Sequence, residues 1–136
     1  MCHCEVCGAL ADIHHIVHKH EGGYDFYLNY KYLCPLHHRG QIGPHHCNAV
    51  DLSYKIQLQK KLYEILPNPY YTQKEISDIL QIRSCSLRRL LKNLVLHKEG
   101  YLNEDIIKSL MGGKLYNNSM LVQLELEHLF NNTNIN

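Results

Sequence analysis

Tryptophan is absent, Phe occurs twice and Pro four times, and 14 Lys plus Arg against 13 Asp plus Glu leave a formal charge of only +1 with His neutral. So small a charge excludes the global basic field that drives nonspecific nucleic-acid binding, and any DNA contact must be local. Also missing is any apolar run of the roughly 18 residues that a membrane helix needs. The start, MCHCEVCGAL, lacks the charged-then-apolar order of a signal peptide. The expectation is a soluble, intracellular protein with no membrane partner. A chain of 136 residues makes one or two small domains, which excludes barrels and dinucleotide folds.

Cysteine and histidine, by contrast, are plentiful. Six Cys without an export signal argue against a disulfide scaffold and for metal or free thiols. Nine of the eleven His fall before residue 47, and Cys and His enriched in the same third of a chain is a metal-site composition.

Three segments separate by composition. Within 1–50, Ala11 to Val17 and Phe26 to Leu33 read as extended, with Gly22-Gly23 as a turn. From Asp51, a candidate N-cap, Leu52, Ile56, Leu62, Ile65 and Leu66 recur at helical spacing until Pro67-Asn68-Pro69, and this helix is expected to seal a first module, 1–66. A second, mostly helical segment, 67–136, opens with a capping box, Thr72-Gln73-Lys74-Glu75, and an apolar face of Ile76, Ile79 and Leu80. Ser84 then caps a helix expected to reach about Leu96, with Leu87, Leu90, Leu91 and Leu94 inward; two short helices and a tight turn predict a helix-turn-helix. A helix over 103–111 stopped by Gly112-Gly113, another over 120–130, and a frayed tail NNTNIN complete the prediction. The expected class is α+β.

Cys4-Glu5-Val6-Cys7-Gly8 is a zinc-knuckle pattern, since two thiolates three positions apart converge on one ion across a tight turn. Cys34-Pro35-Leu36-His37 repeats the gap 27 residues on, so Cys4, Cys7, Cys34 and His37 complete a closed tetrahedral site for structural Zn²⁺. Cys2, His3, His38 and Cys47 lie close enough in sequence to substitute, and Cys2 and Cys47 are taken as bystanders. Zinc contributes about 10–16 kcal/mol of folding free energy in small zinc modules, so 1–50 is expected to be disordered without it.

Between the knuckles run Asp12-Ile13-His14-His15-Ile16-Val17, Gly22-Gly23, Asn29-Tyr30 and Leu33-Cys34-Pro35-Leu36-His37-His38-Arg39. Together these resemble the HNH endonuclease family and its ββα-metal, treble-clef-like motif over residues 4–47, and the whole chain resembles small phage-encoded HNH proteins with a C-terminal helix-turn-helix. The resemblance implies His15 as the general base, Asn29 as the orienting middle residue, and His14 and His38 as ligands of a catalytic divalent ion, Mg²⁺, Mn²⁺ or Ni²⁺. His14 stands where many members carry Asp, and His37 where many carry Cys; imidazole ligands favour transition metals over Mg²⁺.

Arg83 to Lys98 holds five basic residues and no acidic one. Arg83, Ser86, Arg88, Arg89 and Lys92 are therefore the candidate DNA contacts, the early residues toward a major groove and Lys92 toward the backbone. The last helix carries Leu121, Leu124, Leu126, Leu129 and Phe130 beside Glu125 and Glu127, expected to pack back on the helix-turn-helix or to form an interface. The function expected is a phage-type HNH protein, monomer or homodimer in the cytoplasm of a bacterial host, binding DNA and cutting or nicking it by metal-dependent phosphodiester hydrolysis. The alternative is a catalytically silent zinc protein that inhibits a bacterial defence nuclease by protein contact, anti-CRISPR-like, which near-zero charge and ten Tyr favour.

Overall fold

The computed structural model describes residues 2–133 and is α+β, with two small antiparallel sheets among six helices. Strands β1 (Asp12–His15) and β2 (Tyr30–Leu33) pair with His14 opposite Lys31 and His15 opposite Tyr30. Both are shorter than the expected extended runs. Tyr27–Asn29 winds instead into a 3-10 turn, because the Asn29 side chain is drawn inward: its Oδ1 accepts from Val17 N at 2.8 Å, and its Nδ2 donates to Val17 O at 3.1 Å and Tyr24 O at 2.9 Å. Those three bonds tie down the loop that carries a second 3-10 turn, Lys19–Glu21, and the Gly22-Gly23 turn.

Helix α1 (Pro35–Arg39) starts as soon as β2 ends, with Pro35 at its first position, where the missing N–H costs nothing. After an irregular turn comes α2 (Asn48–Ile65), with Cys47 at its N-cap position. Asp51 is thus not an N-cap: it lies inside the first turn, and its carboxylate serves His18 at 3.2 Å and Lys55 at 2.9 Å. The buried stripe of α2 is Leu52, Lys55, Leu58 and Leu62, continued by Leu66, while Ile56 and Ile65 are only half-buried. Pro67 ends the helix, because the residue before a proline is driven out of helical geometry.

Beyond it, β3 (Tyr70–Tyr71) precedes α3 (Gln73–Leu80), whose capping box forms as expected: Thr72 Oγ1 accepts from Glu75 N, and Glu75 accepts from Thr72 N. Gln81 turns the chain into α4 (Ser84–Lys92), where Arg83 rather than Ser84 holds the N-cap position and no side chain caps the helix. This helix stops short of Leu96, which belongs to β4 (Leu96–His97). With β5 (Gly100–Leu102), β4 makes a hairpin in a sheet of order β3-β5-β4. The sheet was unforeseen, since strands of two or three residues are too short for their alternation to be read.

Helices α5 (Asn103–Leu110) and α6 (Asn118–Thr133) follow. Part of the expected frayed tail, 131–133, is helical, and 134–136 lie outside the described residues. Instead of lying on α3 and α4, as expected, α6 packs along α2. The preceding loop fixes that direction through paired bonds between Gln59 and the Tyr116 backbone at 2.8 and 2.7 Å.

One large apolar core takes Ile16, Val17, Tyr24 and Phe26 from the first segment, Leu58, Leu62 and Leu66 from α2 and its end, and Ile76, Leu90, Ile106 and Leu110 from the second segment. A separate, much smaller cluster holds Cys4, Leu33 and Cys34, flanked by Ala11 and Tyr54. Among the described residues no helix is long and apolar enough to cross a membrane.

Candidate metal centre

Four ligand atoms converge where the small cluster lies. Gly8 holds φ +80, a left-handed conformation that suits glycine, and turns the chain back so that Gly8 N donates to Cys4 O at 2.9 Å and Cys4 N to Ala9 O at 2.7 Å. Cys34 stands at the N-cap position of α1, and His37 lies in that helix's first turn. The Cys4, Cys7 and Cys34 sulfurs and a His37 ring nitrogen all lie within 4.8 Å of one another. Cys7 Sγ is 3.7 Å from Cys34 Sγ, and His37 Nδ1 is 3.7 Å from Cys4 Sγ and 3.2 Å from Cys34 Sγ. A tetrahedral zinc with ordinary bond lengths sets S···S at about 3.8 Å and S···N at about 3.5 Å, so this group can hold a structural metal ion such as zinc.

The electrostatics point to a cation as well. Burial pushes the Cys4 thiol up, but hydrogen bonds from the Cys34, Cys7 and Val6 backbone outweigh it and bring the thiol down to about 6. At Cys7 the Ala9 amide acts downward, yet desolvation and the sulfurs of Cys34 and Cys4 leave the thiol above its ordinary value. Sulfurs this close cannot all ionise unless a cation sits between them.

On the other side of α1 lies a second cluster. Successive helix residues diverge by about 100°, so His37 faces the sulfurs while His38 faces away from them. His38 meets His14 of β1 at 4.9 Å between ring centroids and His45 of the following turn at 4.7 Å. His14, His38 and His45 form one group of possible ligands, and His14, His18 and Asp51 another. His14 is 1% exposed; its burial, and then repulsion from His38, His18 and His45, hold its pKa at about 3. Burial likewise lowers His38 and His45. These rings are therefore neutral near pH 7, with lone pairs available to a metal. Behind them, Lys55 is 4% exposed and bonds Glu21 at 2.7 Å and Asp51 at 2.9 Å.

His15, expected as the general base, points to the opposite face of β1 from His14, as neighbouring strand residues do. Its Nε2 lies 2.7 Å from Asp25 Oδ1, and that bond holds the Asp25 carboxyl below its usual range. Asn29, expected as the orienting middle residue, is fully buried, with its amide committed to the Val17–Tyr24 loop. Among the expected DNA contacts, Arg83, Arg88 and Lys92 are exposed and Ser86 is half-buried. Arg89 is engaged elsewhere, its guanidinium 4.4 Å over the Tyr24 ring and reaching Gly23 O at 3.5 Å. Sequence reasoning missed Asp25, His18, His45, Asp51 and Lys55; the surplus of His before residue 47 was the available signal for two of them.

The core also narrows what metal removal should do. Because Ile16, Val17, Tyr24 and Phe26 belong to the large core, chelation should release 2–11 and 34–47 rather than all of 1–50. Limited proteolysis with mass mapping, with and without chelator, should show cleavage appearing in 2–11 while 16–26 stays protected. Unchanged protection of 2–11 would contradict a metal-held knuckle. No family model, curated protein or solved structure matches the chain in comparisons with known proteins.

Proposed function

We propose that the chain is a phage-type HNH nuclease that binds DNA and cuts or nicks it by metal-dependent phosphodiester hydrolysis. One observation carries this reading: adjacent residues of β1 present a buried neutral His14 against His38 on one face and an Asp25-paired His15 on the other. A divalent ion held by His14 and His38 would supply charge stabilisation for the leaving oxygen.

The remaining work falls to side chains of the chain itself. With Nε2–H donated to Asp25, His15 keeps its Nδ1 lone pair free to take a proton from water, and the carboxylate stabilises the imidazolium that results. Water's oxygen bonds to phosphorus, the bond from phosphorus to the sugar oxygen breaks, and the released alkoxide is protonated by solvent. Asn29 keeps the loop before β2 in place, so that Asp25 stays beside His15.

DNA binding is assigned to the helix-turn-helix of α3 and α4 and its neighbouring β4–β5 hairpin. Arg83 and, on α4, Arg88 and Lys92 are exposed, whereas Arg89 ties that helix to the first segment. A second reading, the anti-CRISPR-like inhibitor of a bacterial defence nuclease, draws on α6, where Val122, Leu126, Leu129 and Phe130 are exposed at helical spacing.

A plasmid-nicking assay with Mg²⁺, Mn²⁺ and Ni²⁺ tests the nuclease. The parent should nick with at least one ion, and His15→Ala should lose about 100-fold or more in rate, within the usual range for a general base. No cleavage by the parent with any ion would contradict the nuclease and favour the inhibitor. In a separate binding assay, Arg88→Ala with Lys92→Ala should weaken DNA affinity and flatten its salt dependence by about one slope unit per lost phosphate contact. Unchanged affinity would remove α4 from the DNA interface.

A further inference from the structure

We propose that His45 is the third ligand of the second metal site, which His14, His38 and His45 together build for one transition-metal ion of the zinc, cobalt or nickel class. The proposal rests on the nuclease reading for His14 and His38, and adds to it the remaining protein ligand and the class of ion.

Nε2 of His14 is buried and has no hydrogen-bond partner among the described residues, an arrangement that is destabilising unless something fills the space before it. Its ring is surrounded by other imidazoles. The three histidines each offer a ring nitrogen within 4.8 Å of the others, and His38 Nε2 lies 3.0 Å from His45 Nε2. Two imidazole nitrogens at ordinary distance from one zinc-like ion are separated by about 2.9–3.4 Å, depending on the coordination angle. The pair is therefore spaced for a shared ion, and His14 completes the group.

His45 is brought there by a built turn. Gly43 N donates to Gly40 O at 3.0 Å, and Cys47 N donates to Gly43 O at 2.9 Å. This folds the chain back onto the end of α1 so tightly that a Cβ at Gly43 would lie 2.5 Å from His38 O and 2.7 Å from His37 O. Only glycine permits that approach, and the approach sets the His45 ring beside His38.

The overlapping group of His14, His18 and Asp51 is the weaker candidate. Asp51 already accepts from Lys55 Nζ at 2.9 Å and lies 3.2 Å from His18 Nε2, and the Lys55 ammonium opposes a second cation there. The three-imidazole group contains no carboxylate, a donor set that suits borderline transition metals and leaves Mg²⁺ and Ca²⁺, which prefer oxygen, poorly served. Three protein ligands also leave a coordination position open, the pattern of sites that meet a substrate. His45 is the exposed member, while His14 and His38 are buried.

The test measures metal binding on the full chain, without reference to cleavage. Titrated with Co²⁺ under reducing conditions, the parent should take up two ions, one giving the thiolate absorption of the Cys4, Cys7, Cys34 and His37 group. Mg²⁺ in excess should displace neither. His45→Ala should keep the thiolate band, which reports an intact fold, and bind the second ion at least about 100-fold more weakly, since loss of an outer-shell partner alone costs about 10–100-fold. His20→Ala, a neighbouring exposed histidine, should bind both ions like the parent. In a ¹⁵N-histidine spectrum of the parent, the ring nitrogens of His45 should shift as the second ion binds, a readout that does not depend on the variant folding. If the His14→Ala, His38→Ala double variant loses the second ion while His45→Ala keeps parent affinity, the inference fails and the nuclease site survives. A parent that binds one ion only, or a second ion that leaves His45 unshifted while Mg²⁺ displaces it, would overturn the three-imidazole assignment; the first result would overturn the nuclease site as well.

Discussion

Cys4, Cys7, Cys34 and His37 join two short turns that lie far apart in the chain, with Glu5 adding a backbone and a side-chain bond to Tyr32 at 2.9 and 2.7 Å. The apolar cluster beside them is Cys4, Leu33 and Cys34 with Ala11 and Tyr54, far too small to order a turn, a strand end and a five-residue helix on its own. An ion among the three sulfurs and the imidazole would supply the missing free energy. It would also relieve the crowding by the Cys34 and Cys4 sulfurs that, with desolvation, raises the Cys7 thiol. The effect reaches the second cluster through geometry: with His37 turned to the sulfurs, α1 turns His38 to His14, and Gly43 brings His45 to both. The helix that closes one site thereby builds the other.

The far end of the first segment is held by ordinary burial. Ile16, Val17, Tyr24 and Phe26 enter the same core as α2, α3, α4 and α5, and Arg89 stacks on Tyr24 from the outside. A loop that carries Asp25 and is pinned by Asn29 is thus in contact with the helix assigned to DNA. In the proposed nuclease that contact fixes the distance between the reacting histidines and the DNA-binding face without a flexible linker.

Much of this was legible in the sequence because it depends on short spacing. The paired two-residue gaps at Cys4/Cys7 and Cys34/His37 identify the sulfur group, and the Thr72–Glu75 box marks the start of α3. Other features depend on contacts between distant residues, which no local pattern encodes. Asp51 sits where an N-cap is plausible but is claimed by His18 and Lys55, and Arg89 reads as a free cation until Tyr24 is folded beneath it. Asp25 is an unremarkable loop acid until β1 and β2 pair and His15 comes to 2.7 Å. The β3-β5-β4 sheet escaped because Tyr70 and Tyr71 pair with Leu102 and Tyr101, far along the chain, rather than showing any alternation of their own.

The ligand shell of the first ion is the most direct test of a metal-held first segment. X-ray absorption at the zinc edge, on protein loaded with one equivalent, should give three sulfur neighbours at about 2.3 Å and one nitrogen at about 2.0 Å. A shell made only of nitrogen and oxygen would mean that the sulfurs do not hold the ion. The turn, the helix and both histidine faces would then need another cause.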